Sequence, residues 1–191
     1  MIKMENSGYD LEYLKIGMED IQNYLLSEEL FWPVSGRPSG DRPFFLKMTI
    51  GNLLLSEHRL ATLSDEGLLS PADAAEFSKL QSGIQAVQMK WRVAWERKAS
   101  REYDTRFNQW GKTLGDLKSD RYQNAPFYKN EVRLRVLLEL LVEQIPDKAR
   151  HDLAPLDKIL QQMFKSGEFI WGAELAPGFP KEKYWYLYGG V

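Results

Sequence analysis

Four basic side chains stand where they could meet an anion. If the chain around them is helical, Lys90, Arg97, Arg101 and Lys112 fall within one narrow sector, with Asn108 between them and Lys98 close by. A line of cations at this spacing can track the phosphates of a nucleic acid. Glu96, Glu102 and Asp104 interleave with it, so the field is mixed. A second candidate is the loop Ser35-Gly36-Arg37-Pro38-Ser39-Gly40-Asp41-Arg42-Pro43. It precedes an expected helix, and the free N–H groups of a helix start attract anions, so Arg37 and Arg42 could complete an anion or nucleotide site at 35–43. No Gly-Lys-Ser/Thr follows and no strand precedes, so the loop is not a P-loop.

Other chemistry is harder to build. The two histidines, His58 and His151, lack a glutamate three residues before them, as a di-iron carboxylate bundle would want. No close group of histidines and acids suggests zinc. No Gly-x-Ser-x-Gly supports a serine nucleophile. The absence of cysteine excludes disulfides and thiolate chemistry, and it fits a cytoplasmic protein. No catalytic, metal or cofactor residue is therefore nominated; the balance is against an enzyme, a reading that stays open because a bundle can assemble acids and arginines from distant positions.

The elements that must carry these residues are helical. Ser70-Pro71-Ala72-Asp73 reads as a helix start: a serine N-cap, a proline at the first position and an aspartate at the positive end of the dipole. No proline follows until Pro126. Phe77, Leu80, Ile84, Val87, Trp91 and Ala94 keep helical spacing. After a slip the pattern resumes at Trp95, Ala99, Tyr103, Phe107, Trp110, Leu114 and Leu117. One helix over about 71–117 would span roughly 70 Å, whereas a compact chain of this length makes a globule ~40 Å across. The two apolar faces point roughly 120° apart. The reading is a continuous, bent helix that changes near 98–100 and buries its halves against different neighbours. Trp91, Trp95 and Trp110 fall on the apolar faces and are assigned to the core.

Four further helices are expected. Tyr9–Ser27 carries Leu11, Leu14, Met18, Ile21, Tyr24 and Leu25 along one stripe, weakened by Gly17. Phe44–Asp65 is the expected antiparallel neighbour of the first half of the long helix. Phe127–Gln144 is apolar around most of its circumference. Its polar residues Glu131, Arg135, Glu139 and Glu143 are spaced for ion pairs along one solvent-facing line. A last helix begins at Pro155 and ends at Ser166-Gly167. The aromatic tail, Phe169 to Tyr188, is too apolar to leave in water and is expected to be extended and to pack back onto the bundle.

Composition bounds the rest. Hydrophobic residues make up 43% and charged residues 27% of the 191, an ordinary globular balance. The N-terminus shows no signal core, and no apolar run is long enough to span a bilayer, so no membrane partner is expected. Net charge is −2, with acids crowded before Leu30 and basic residues crowded from Gln88 to Arg121. The simpler account of that asymmetry is solvated faces, the sharper one a basic surface for an anionic partner. The expectation is an all-α, elongated bundle of about five helices in a single domain, 1–191, with no cofactor. Its expected role is a cytoplasmic, non-enzymatic scaffold or adaptor that binds protein, a second copy of itself included as a homodimer. Nucleic-acid binding by the basic stripe and anion binding at 35–43 stand as the alternatives.

Overall fold

The computed structural model describes residues 7–40 and 42–191. Lys3 and Glu5 of the N-terminal stretch, and Asp41 of the 35–43 loop, lie outside the described residues. The protein is all-α, with one short two-stranded sheet near its end. Its chain divides into a first compact unit ending at Glu102 and a second, Tyr103–Val191. No helix among the described residues is long and apolar enough to cross a membrane.

In the first unit, α1 (Ser7–Leu26) packs against α2 (Ile50–Asp65) and α3 (Pro71–Lys90). Gly17 is the point of close approach. A Cβ there would lie 2.8 Å from Leu53 Cδ2 and 3.2 Å from Met48 Sδ, so the weak helix former is what lets these neighbours close on α1. Tyr13, Leu14, Tyr24, Leu25, Met48, Ile50 and Leu60 are fully buried around it.

The second helix starts later than the sequence pattern suggests, at Ile50 and not Phe44. Two forces hold the intervening chain extended. Trp32 and Met48 exchange backbone hydrogen bonds of 3.0 and 2.8 Å as an isolated antiparallel bridge. The tyrosines of α1 take up the backbone between: Tyr9 OH donates to Phe44 O and accepts from Leu46 N, and Tyr13 OH donates to Lys47 O. Thr49 then caps the helix, its hydroxyl accepting from Asn52 N at 3.1 Å.

The Ser70 cap and Pro71 open α3 as read from the sequence. The long helical segment runs on as α4 (Arg92–Ser119), but the interruption falls at Trp91, not near 98–100. Trp91 alone leaves helical geometry, at φ −112° and ψ 29°. Hydrogen bonds continue on both sides, Trp91 N to Val87 O and Trp95 N to Trp91 O. This one residue accommodates the step in the buried stripe from Phe77 and Ile84 to Trp95, Ala99 and Tyr103. Trp95 and Trp110 are core residues, while Trp91 is half-buried with the Lys90 ammonium over its ring. Residues of α4 through Glu102 belong to the first unit and the remainder to the second.

In the second unit the single helix expected over 127–144 is broken into pieces. α5 (Arg121–Asn124) leads through a 3₁₀ turn at Ala125–Phe127 to α6 (Tyr128–Glu131), α7 (Arg133–Leu141) and another 3₁₀ turn at Val142–Gln144. Pro126 has no N–H for a helical ladder, which suits the tight turn. At Val132 the carbonyl is shared between Arg135 N and Val136 N, a mixed 3₁₀/α bond. Val132, Val136, Leu137, Leu138 and Leu141 are buried, so the segment is core as expected. Its charged line is not solvent-facing throughout, because Arg135 is buried.

α8 (Ala154–Met163) ends before Ser166-Gly167, since Lys165–Phe169 is β1. β1 pairs antiparallel with β2 (Tyr188–Gly190), Lys165 opposite Gly190 and Phe169 opposite Tyr188. Gly189 sits at φ 146°, and a Cβ on it would reach 2.1 Å from Lys165 O, so only glycine fits. The aromatic tail packs on itself and back onto α6 and α7: Phe179 has Trp171 and Tyr184 edge-on at 5.3 and 5.1 Å, Tyr128 OH donates to Tyr186 O, and Arg135 lies over the Tyr186 ring.

Candidate functional site

Of the charged residues that suggested an anion site, Arg37, Arg42 and Arg101 are engaged within the protein. In the 35–43 loop the donors already hold an anion, the carboxylate of Glu12. Its Oε2 accepts from Ser39 N at 2.9 Å and its Oε1 from Arg42 Nη1 at 3.2 Å. Burial alone would raise the Glu12 pKa, but the Ser39 amide and Arg42 outweigh it and hold the group below the usual glutamate value. Arg37 lies over the exposed Phe44 ring, 5.3 Å from its centroid.

The basic residues on α4 show a similar use. Lys98 is fully buried; its ammonium lies 4.4 Å from the Tyr24 centroid and donates to Ser27 Oγ and to Glu29 O. Burial, and then the neighbouring Arg101, push its pKa down. Arg101 donates to Glu28 O at 3.1 Å and pairs with the Glu28 carboxylate at 3.6 Å. Both cations thus sit on the chain just past the C-terminal end of α1, where the helix dipole favours positive charge.

One residue on, Glu102 does the converse. Its Oε1 accepts from Thr49 Oγ1 at 2.6 Å and its Oε2 from Gly51 N at 2.7 Å, placing a buried carboxylate at the N-terminus of α2. A single turn of α4 therefore places cations beside the negative end of one helix and a carboxylate on the positive end of another. Lys90 and Arg97 are exposed in the first unit, and Lys112 is exposed in the second.

His58 lies on α2 in the first unit and His151 before α8 in the second. His151 Nε2 lies 2.8 Å from Asp104 Oδ1, and its ring stacks on Tyr103 and contacts Phe107. Tyr103 OH donates to the His151 carbonyl. These contacts pin the stretch before α8 onto α4. No group of three or more potential metal-ligating side chains occurs among the described residues.

The polar centre of the second unit is Arg135. Its guanidinium bonds Asp157 through two nitrogens at 2.9 and 3.0 Å, bonds Glu139 at 2.8 Å, and lies 4.8 Å from the Tyr186 ring centroid. Burial opposes its charge, yet Asp157, Tyr186 and Glu139 together hold its pKa above the ordinary arginine value. Lys183 joins the far side, 2.8 Å from Glu143 and 3.7 Å from Glu139. In this network Arg135 and Lys183 each meet carboxylates of the same unit.

Open space is found elsewhere in the second unit. A cleft of about 400 Å³ lies between α4 and the 124–134 segment. Leu117, Leu134, Tyr128 and Phe127 supply its apolar wall, and Gln109, Lys112, Thr113, Asp116, Asn124 and Glu131 its polar one. Phe127 remains 58% exposed, a large side chain that the turn at Pro126 holds out toward water. Of the six basic residues nominated from the sequence, only Lys112 reaches this cleft. The residues that make it were hidden in the sequence, because Phe127 reads as the start of a regular helix. The Asn124-Ala125-Pro126 turn was the available signal.

Comparison with protein-family models, with curated proteins and with solved structures finds no match to this chain.

Proposed function

We propose that this is a non-enzymatic helical module that binds protein, and that its docking site is the cleft of the second unit. The observation that carries this reading is the pairing of an open cleft of about 400 Å³ with an aromatic side chain held exposed at its wall. Exposed apolar surface is costly unless a partner covers it, and aromatic side chains anchor protein interfaces. The engagement of Arg42 by Glu12, and of Lys98 and Arg101 by the chain after α1, favours it over anion binding by those cations.

The test is site-specific photo-crosslinking in cells that make the protein. A photoreactive amino acid replaces Phe127 in one variant and the exposed Glu168, outside the cleft lining, in another. The reading predicts a reproducible protein adduct from position 127 that position 168 does not give and that Thr113→Arg, which fills the cleft, removes. Adducts of nucleic acid, or equal labelling from both positions, would contradict it.

A further inference from the structure

We infer that the segment received by this cleft presents one arginine or lysine side chain between apolar residues. The inference rests on the docking reading above and adds the chemistry of the partner. Two carboxylates line the cleft, Asp116 from α4 and Glu131 from α6, against one ammonium, Lys112. Neither carboxylate forms an ion pair among the described residues, and the hydrogen bond to Glu131 is a long one, 3.4 Å from Thr113 Oγ1. An anionic group entering here would face two like charges and one opposite charge. A single cation gains from both acids and can lay its apolar stem along the exposed Phe127, whose ring face also attracts cations. Lys112 opposes a second cation, so one basic residue fits better than a basic run. Leu134, half-buried in the lining, offers apolar contact to a residue beside it.

The experiment is an NMR titration of the full-length, isotope-labelled chain with two capped tripeptides, acetyl-Leu-Arg-Phe-amide and its citrulline counterpart. Citrulline keeps the shape of arginine and removes the charge. The arginine peptide is expected to move the amide signals of Thr113, Leu117, Phe127 and Glu131, and to bind about tenfold more tightly than the citrulline peptide. Asp116→Asn with Glu131→Gln is expected to erase that preference while leaving citrulline binding in place. Equal binding of both peptides at these signals would overturn the inference and leave the docking reading standing. Absence of shifts with either peptide would overturn both.

Discussion

A Cβ on Gly51 would stand 2.9 Å from Oε1 of Glu102. The first turn of α2 therefore carries glycine so that its backbone N–H can meet a buried carboxylate. Gly51→Ala should destabilise the protein by about 1–3 kcal/mol through overpacking, although alanine is the better helix former. Gly115 is the control: it lies in a helix, exposed, with open space around its missing Cβ. Gly115→Ala should stabilise by roughly 0.5–1 kcal/mol. Urea unfolding followed by circular dichroism measures both signs.

Lys98 closes the other helix end. Lys98→Met keeps most of the side-chain volume and removes the ammonium from Ser27 Oγ and Glu29 O. The loss should be about 2 kcal/mol, from unsatisfied acceptors and the lost charge at the end of α1. Amide exchange would show it first at Tyr24 to Ser27, and protection unchanged there would count against the clamp.

Arg135→Met should be the most damaging substitution in the second unit. It leaves Asp157 and Glu139 without the buried cation that pairs them, a loss of about 3–5 kcal/mol. Arg135→Lys should restore only part of it, because an ammonium cannot reproduce the two-nitrogen contact with Asp157. Thermal unfolding of the two variants side by side reads the difference.

Glu57 sets a pH dependence. Burial raises its pKa above the ordinary carboxylate value, partly offset by a hydrogen bond with Gln81. A raised carboxylate pKa means that the folded state holds the proton more tightly than the unfolded chain. This contribution to stability is present below the unfolded value and declines as pH rises through the folded one. Glu57→Gln should therefore stabilise the protein at neutral pH, with the gain shrinking as pH falls through the raised folded pKa and gone below the unfolded value of about 4.3. A melting series from acid to neutral pH checks that the gain appears only as Glu57 ionises.

Local signals in the sequence foretold much of the fold. The Ser70-Pro71-Asp73 start stands where capping chemistry puts it, and the apolar stripe through Trp95, Trp110 and Leu117 is buried as its spacing demands. The misplaced boundaries all depend on distant contacts. Nothing near Phe44 announces that Tyr9 and Tyr13 will hold its backbone extended, and nothing near Ser166 announces the pairing with Gly189. The charged residues were the hardest to read. Arg135 sits in a polar row that looks solvated, yet Asp157, 22 positions later, draws it inward. The basic candidates were found as residues but not as clamps, because the carbonyls that Lys98 and Arg101 meet lie some 70 residues earlier. Asp116 and Glu131 are ordinary surface acids in sequence and become a pair only across the cleft.

The central structural claim is that charged groups on α4 close helix ends within the first unit. A double-mutant cycle between Glu102→Gln and Thr49→Val tests it most directly, by chemical denaturation of the wild type, both single variants and the pair. The account predicts losses of about 1–3 kcal/mol for each single variant and a coupling of about 1–2 kcal/mol between them. Additive losses, or single variants as stable as the wild type, would contradict it.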